Sequence, residues 1–250
     1  MLTCITRSMS NELYEMMLSL CPRDWNFIRV LNSSAHGYLD YIFSTRFETK
    51  WILNLDEDCF IIDLEEIVNM VAYMEANNYD YCGVQDGGSI PVRIHNPLVS
   101  NPFFNLFNVE KIFELKKDYY ETDYNVDDIR DKYSSLIRFK HSAFKYDLYE
   151  PFYKHFFWLL ENGLKPYFLD AGEFSKEKYY VIAPLLRIIP YFNSPTMIFG
   201  HNGSEMALHT WHSRFINYPN IKKHIMNCYA YARKKRLEKS KTIEIVSIGK

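Results

Sequence analysis

The chain has 250 residues, of which 48% are apolar and 24% charged, so it can bury a large core and is not a disordered chain. Its formal net charge of −2 excludes a protein-wide basic surface for nucleic acid. Its glycines form neither a G-x-G-x-x-G nor a G-x-x-x-x-G-K-[ST] sequence, which removes the two commonest glycine-rich nucleotide loops.

The first 86 residues predict strands and helices in alternation. The predicted strands span 2–6, 25–31, 51–55 and 79–84, and the predicted helices span 11–20, 38–47 and 64–76. Short connections at this rhythm favour a mostly parallel α/β sheet flanked by helices.

The second half has a less regular pattern. It predicts strands over 103–109 and 166–169 and an aromatic-rich helix over 148–160. Residues 114–135 are acidic and lack apolar periodicity, so we predict a mobile polar excursion there.

Three consecutive carboxylates, Asp56, Glu57 and Asp58, follow the predicted strand over 51–55. Like charges packed together repel unless a cation lies among them. In open α/β sheets, ligands bind at the carboxyl ends of strands. A divalent cation would offset the repulsion and leave coordination positions for a diphosphate. The alternative is an acidic turn that only caps the next helix, for which Asp63 or a neighbour could serve.

Three segments at strand ends carry a family resemblance. Residues 6–8, residues 32–37 and residues 50–58 resemble the nucleotide-binding half of the GT-A glycosyltransferases, a likeness that covers residues 1–86. In that family an acidic D-x-D motif holds Mn²⁺ or Mg²⁺ against the diphosphate of a nucleotide sugar. The resemblance implies a GT-A, Rossmann-like fold and a UDP- or GDP-sugar donor.

The resemblance also implies roles for individual residues. Asp58 would be a direct metal ligand, and Asp56 would contact the metal, a metal-bound water or the ribose. Thr6 and Arg7 would lie near the base or the diphosphate. The other residues that it assigns to the nucleotide sugar are Ser8, Asn32 and Glu57.

A late segment, residues 207–214, is similar to the histidine-containing segment with which many such enzymes complete the metal or pyrophosphate site. An imidazole of His209 or His212 would add a nitrogen ligand that favours Mn²⁺ over a cage of oxygens alone. Arg214 could bind the leaving diphosphate with two hydrogen bonds. The choice between the histidines stays open, with a slight preference for His209, and the alternative is two surface histidines beside a core tryptophan.

The catalytic base is the least determined part of the prediction. An inverting transferase needs a carboxylate to deprotonate the acceptor hydroxyl, whereas a retaining one needs no strong base. Asp170, which follows the predicted strand over 166–169, is the candidate base and Glu173 the reserve. Asp170 could equally be a turn or helix-cap carboxylate.

Residues 222–241 hold eight Lys or Arg side chains against one acidic residue, Glu238. They predict either a solvated helix end or a patch that contacts an anionic membrane. The five cysteines are odd in number and contain no C-x-x-C, so we predict free, reduced thiols. Arg7 and Glu12 interrupt the early apolar residues, so we expect no signal peptide and a cytoplasmic protein, peripheral to the inner face of the membrane if the patch is used.

Together these observations predict a metal-dependent glycosyltransferase (hexosyltransferase) in one domain. Residues 1–86 would bind the nucleotide sugar, 87–221 would form an irregular acceptor half that binds a glycan, lipid-linked or other hydroxyl acceptor, and 222–250 would be a basic tail. No general nucleic-acid binding is expected. One alternative is a nucleotidyltransferase acting on a sugar phosphate, although residues 3–11 lack the glycine expected of its loop. The other is a catalytically inactive glycan-binding relative.

Overall fold

The computed structural model describes residues 2–87, 95–137, 145–174, 195–211 and 213–248. Within these ranges the chain forms a six-stranded and a four-stranded β-sheet with helices packed around them. The larger sheet is mostly parallel, which confirms the predicted mixed α/β class with a central sheet flanked by helices.

The elements are named here in chain order. The strands are β1 (Thr3–Ser8), β2 (Asn26–Leu31), β3 (Trp51–Leu55), β4 (Cys59–Ile61), β5 (Tyr81–Gln85), β6 (Ser100–Asn108), β7 (Pro166–Leu169), β8 (Ala171–Glu173), β9 (Thr196–Phe199) and β10 (Glu205–His209). The α-helices are α1 (Asn11–Leu18), α2 (Ala35–Ser44), α3 (Leu64–Ala76), α4 (Val109–Phe113), α5 (Val126–Tyr133), α6 (Tyr153–Glu161) and α7 (Pro219–Ile248).

The larger sheet has the order β2-β1-β3-β6-β5-β7, and β6 is antiparallel to both of its neighbours. The other five strands run parallel, so their carboxyl ends meet at one edge, where the amino end of β6 also lies. The smaller sheet, β4-β10-β9-β8, is antiparallel throughout. Because β3 belongs to the first sheet and β4 to the second, the acidic turn over residues 56–58 joins the two sheets.

Two apolar clusters cover the two faces of the larger sheet. One packs α1, α3 and α7 against the sheets through side chains such as Met17, Met70 and Ile225, and the other packs α2 and α6 through Phe43 and Phe156. All five cysteines are buried and free, as predicted from their spacing.

Two of the differences from the predicted elements concern helices α5 and α6. Helix α5 forms where we predicted a polar excursion, so that prediction is wrong over 126–133. Asn125 caps this helix by accepting a hydrogen bond from the N–H of Asp127, and the single buried apolar residue Ile129 anchors it. Helix α6 begins at Tyr153, later than predicted, after Pro151, a residue type that disfavours helical backbone just before it.

The basic segment lies in α7, which is more than a solvated helix end. Its buried side chains recur at helical spacing and pack against the core: Ile221, Ile225, Cys228 and Ala232. Several of its lysines pair with acidic residues of other elements: Lys222 with Glu12, Lys235 with Glu205 and Lys239 with Asp63. No helix among the described residues has both the length and the hydropathy required to cross a bilayer.

Candidate metal and substrate site

The acidic turn is fixed by backbone hydrogen bonds. The N–H of Asp56 donates to the carbonyl of Phe103 in β6 at 2.9 Å, and the N–H of Cys59 donates back to the carbonyl of Asp56 at 3.0 Å. The turn therefore sits at the carboxyl edge of β3, beside the amino end of β6. Its three carboxylates have three different sets of partners.

Asp56 shares its charge with Arg7, whose Nη2 donates to Oδ2 at 3.1 Å. Its other oxygen, Oδ1, is buried and has no hydrogen-bond partner among the described residues. Burial raises the pKa of Asp56, the Arg7 cation opposes that shift, and the nearby Asp58 carboxylate adds to it. Conversely, Asp56 raises the pKa of Arg7. Arg7 therefore offsets the negative charge of one of the two aspartates and leaves the charge of the other for a further cation.

Asp58 faces a histidine contributed by the smaller sheet. His209 lies opposite Cys59 in the β10–β4 ladder, and the N–H of Thr210 donates to the carbonyl of Asp58 at 2.9 Å. This register brings Nε2 of His209 to 3.4 Å from Oδ1 of Asp58. The imidazole also stacks on Phe103, with ring centroids 4.1 Å apart and planes within 7°. Two sheets and one aromatic ring thus hold the histidine in place.

Asp56, Asp58 and His209 together form a group that can hold a metal ion, since each offers one ligand atom and these atoms lie within 4.8 Å of one another. Two carboxylates and one imidazole suit a divalent cation such as Mn²⁺ or Mg²⁺, and the nitrogen favours Mn²⁺. The unpartnered Oδ1 of Asp56 is a further sign of fit, because buried polar atoms are normally hydrogen-bonded. The group is consistent with a divalent cation.

Glu57, between the two aspartates, has other partners. A single oxygen, Oε2, accepts hydrogen bonds from the Ser8 hydroxyl at 2.6 Å, the Met9 N–H at 3.0 Å and the Ser10 N–H at 2.9 Å. Burial raises the pKa of Glu57, and these hydrogen bonds oppose the shift. Ser8 also accepts a hydrogen bond from Nη2 of Arg29 at 2.8 Å. Glu57 therefore ties the loop after β1 to the acidic turn.

A cleft of about 350 Å³ opens beside the three-residue group. Arg7 faces it from the end of β1, and Asn101 faces it from the start of β6. Its other lining residues include Glu150, Phe152, Trp211 and Ser213. The cleft combines a cation-binding corner, a guanidinium and polar and aromatic side chains, which suits an anionic, hydroxyl-bearing ligand.

The remaining residues of the predicted nucleotide site are placed as follows. Thr6 is buried in β1, with 1% of its surface exposed. Asn32 follows β2 at the same sheet edge as the acidic turn, is exposed, and has a φ of 53°. Arg214 belongs to a short 3₁₀ turn over 213–215, and His212 lies outside the described residues. The roles predicted for all four stay predictions.

The predicted base and its reserve lie apart from the metal group. Asp170 and Glu173 are exposed at the β7–β8 connection and at the end of β8, and neither is among the residues that line the cleft. Their catalytic roles stay predictions. Sequence reasoning missed two polar residues that do line the cleft, Asn101 and Glu150. Each stands beside a proline, and neither belongs to a motif that could have drawn attention to it.

No family model and no curated protein matches the chain. Solved structures that are similar to it include the following two. The crystal structure of A197 from STIV has 12% identity and a TM-score of 0.40, covering 84% of this chain and 95% of that one. A glycosyltransferase involved in the glycosylation of the major capsid of PBCV-1 has 13% identity and a TM-score of 0.34, covering 68% of this chain and 81% of that one. Both likenesses are distant, so the function has to be inferred from the site residues.

Proposed function

We propose that the protein is a metal-dependent glycosyltransferase of GT-A type that moves a sugar from a nucleotide diphosphate sugar to a hydroxyl acceptor. One observation carries the proposal. Asp56, Asp58 and His209 converge within 4.8 Å at the carboxyl edge of a mostly parallel sheet, beside a cleft that Arg7 also lines. Ligands of open α/β sheets bind at this edge, and a divalent cation held here would supply, together with Arg7, the positive charge that a diphosphate requires.

The residues of the site would divide the work. Asp56, Asp58 and His209 would hold the divalent cation, which when bound offsets the negative charge that develops on the departing nucleoside diphosphate. Arg7 uses Nη2 to pair with Asp56, and a guanidinium has further N–H donors that could bind a phosphate oxygen. The β10–β4 register and the stacked Phe103 ring would keep the imidazole oriented toward the ion.

The loop after β1 favours this proposal over a nucleotidyltransferase. A phosphate-binding loop at this position would need free backbone N–H groups. Here the N–H groups of Met9 and Ser10 donate to the chain's own Glu57 carboxylate. An internal anion thus occupies the position where such a loop would bind a phosphate.

The acceptor side of the proposal rests on the sequence. We propose a glycan, lipid-linked or other hydroxyl acceptor bound by the 87–221 half, with Asp170 or Glu173 as base if transfer inverts the anomeric centre. The pairing of Lys222, Lys235 and Lys239 with the chain's own acids leaves fewer free charges for an anionic membrane than the sequence count suggests.

A thermal-unfolding experiment tests the donor side. UDP and GDP are added with Mn²⁺ or with a chelator, and UMP and GMP serve as matched ligands that lack the diphosphate. A ligand present at 100 times its Kd stabilises a protein by about 2.7 kcal/mol, which corresponds to roughly 5–10 °C for a chain of this size. We expect that shift for one of the diphosphates only when Mn²⁺ is present. An equal shift with the chelator, or no shift for either diphosphate, would contradict the proposal.

A further inference from the structure

Asn101 presents a polar group to the cleft from the wall formed by β6. It is the second residue of that strand, lines the cleft with the metal group, and is 9% exposed. Its side-chain nitrogen Nδ2 donates a hydrogen bond to Oδ1 of Asp86 at 2.6 Å. This short hydrogen bond to a carboxylate orients the amide.

Asp86 determines which end of the amide faces the cleft. Its carboxylate is fully buried, and the Tyr153 hydroxyl donates to its second oxygen, Oδ2. The N–H of Asp86 donates to the carbonyl of Val99 at 2.8 Å, which fixes the backbone of this residue beside β6. An ionised carboxylate can only accept hydrogen bonds, so the amide must turn its nitrogen toward Asp86 and its oxygen away.

The amide oxygen that results has no hydrogen-bond donor among the described residues. The residue is 9% exposed, but Oδ1 is not one of the fully buried atoms without a partner, so a ligand in the cleft can reach it. Phe103, two residues further along β6, accepts the backbone hydrogen bond of Asp56. At the rise of a β-strand, Asn101 therefore stands roughly 7 Å along β6 from Phe103, the residue that is bonded to the acidic turn.

The chemistry of this oxygen selects its ligand. A phosphate at neutral pH is itself an acceptor and would not donate to it, whereas a sugar hydroxyl can donate. We propose, on the basis of the function proposed above, that Asn101 is a specificity-determining residue whose Oδ1 accepts a hydrogen bond from a hydroxyl of the donor sugar. Asp86 and Tyr153 act as positioning residues that keep this oxygen turned into the cleft.

The test compares a nucleotide sugar with its own nucleoside diphosphate. Isothermal titration calorimetry at saturating Mn²⁺ gives the Kd of UDP and UDP-glucose, with GDP and GDP-mannose as the second pair, for the wild type and Asn101→Ala. We expect the variant to bind the nucleotide sugar about 3- to 10-fold more weakly and the nucleoside diphosphate as the wild type does. Arg7→Ala is the contrasting variant, since loss of a phosphate contact should weaken both ligands equally.

Each other outcome overturns the inference. An unchanged Kd for the nucleotide sugar would mean that Oδ1 contacts no donor hydroxyl. An equal loss for both ligands would place the contact on the nucleoside. If the wild type binds neither diphosphate, the proposed function fails and the inference fails with it; if it binds both ligands and Asn101→Ala changes neither, only the inference fails. Asn101→Ser, which keeps a donor for Asp86, replaces Asn101→Ala in all of these comparisons if the alanine variant does not fold.

A second readout separates direct contact from a structural effect. Monodeoxy analogues of the bound nucleotide sugar are titrated into both proteins. The analogue that lacks the contacted hydroxyl should bind wild type and Asn101→Ala equally, while the other analogues keep the 3- to 10-fold difference expected above. A difference that is the same for every analogue would contradict a hydrogen bond to one hydroxyl.

Discussion

The two sheets make unequal contributions to the candidate metal site. The six-stranded sheet supplies two carboxylates, Asp56 and Asp58, on a single turn at the end of β3. The four-stranded sheet supplies one imidazole, His209, from the end of β10. The two carboxylates are close together because they belong to the same turn. The histidine, in contrast, reaches them only if β10 pairs with β4. The complete site depends on the junction between the sheets.

The residues around the site also differ in whether they supply negative charge for a cation or mainly position other groups. Asp56 and Asp58 bring negative charge that a cation can offset, while His209 adds a neutral ligand and Glu57 and Phe103 mainly hold their neighbours. Substitutions in the first set should affect metal binding most. Substitutions in the second set should affect metal selectivity, local order or stability.

The largest effect is expected from Asp58→Asn. The substitution keeps the shape of the side chain and the backbone bond to Thr210 but removes a charged ligand. Loss of residues that only support a ligand costs 10- to 100-fold in metal affinity, so we expect a loss on the order of 100-fold or more for Mn²⁺ with little change in melting temperature. Calorimetric titration with Mn²⁺ measures it, and Asp24→Asn, an exposed aspartate in the loop before β2, is the matched control. Wild-type affinity in Asp58→Asn would remove this carboxylate from the site.

His209→Gln tests the contribution of the smaller sheet. We expect Mn²⁺ binding to weaken by about 10- to 100-fold and Mg²⁺ binding to weaken less, because the lost nitrogen ligand matters more to Mn²⁺. The measurement is the ratio of the two affinities. His212→Gln is the matched comparison, three positions later in the chain. If His212→Gln changed the ratio and His209→Gln did not, the wrong histidine would have been assigned.

Glu57→Ala tests whether the middle carboxylate acts on the loop and not on the metal. The substitution leaves the N–H groups of Met9 and Ser10 without their acceptor, so we expect the free energy of unfolding to fall by about 1–3 kcal/mol. Mn²⁺ affinity should stay close to that of the wild type. Glu57→Gln should recover part of the stability, because its carbonyl oxygen has two lone pairs and can accept two of the three hydrogen bonds. Urea unfolding of the three proteins measures this, and a loss of Mn²⁺ binding in Glu57→Gln would show that its charge belongs to the site.

Arg7→Met should give the smallest change in binding affinity, and the change should have opposite signs for Mn²⁺ and for a nucleoside diphosphate. Arg7 is the cation that already pairs with Asp56, so its removal should strengthen the binding of Mn²⁺ alone by a few-fold, in keeping with the roughly 1 kcal/mol of a partly exposed ion pair. The same variant should bind a nucleoside diphosphate more weakly. Titration with Mn²⁺ alone and then with UDP or GDP checks both signs. If both affinities changed in the same direction, Arg7 would not act as a cation that pairs with Asp56 and also binds a phosphate.

The sequence predicted the larger sheet better than the smaller one. Strand β3, helix α3 and strand β7 begin and end where their apolar patterns predicted, because each pattern is continuous and local. Strands β4, β8, β9 and β10 were not predicted. Strand β4 directly follows the acidic turn, and its partner β10 lies far later in the chain, so no local pattern indicates their pairing.

The same distinction applies to the site. The acidic turn was visible because three charges directly follow an apolar strand, and His209 because a resemblance pointed to its segment. The different roles within the triplet were not visible, since the partners of Glu57 lie 47 to 49 residues earlier in the chain. Asn101 was missed because its significance depends on its contact with Asp86, 15 residues earlier in the chain, and on the register of β6.

Helix α7 forms ion pairs with three separate elements of the fold. Its lysines pair with Glu12 in α1, with Asp63 at the start of α3 and with Glu205 in β10. A protein shortened before Pro219 would lose these three lysines and would expose the apolar surface that Ile221 and Ile225 now cover. Such a truncation should aggregate, and β10, the strand that carries the histidine, would lose the ion pair of Glu205 with Lys235.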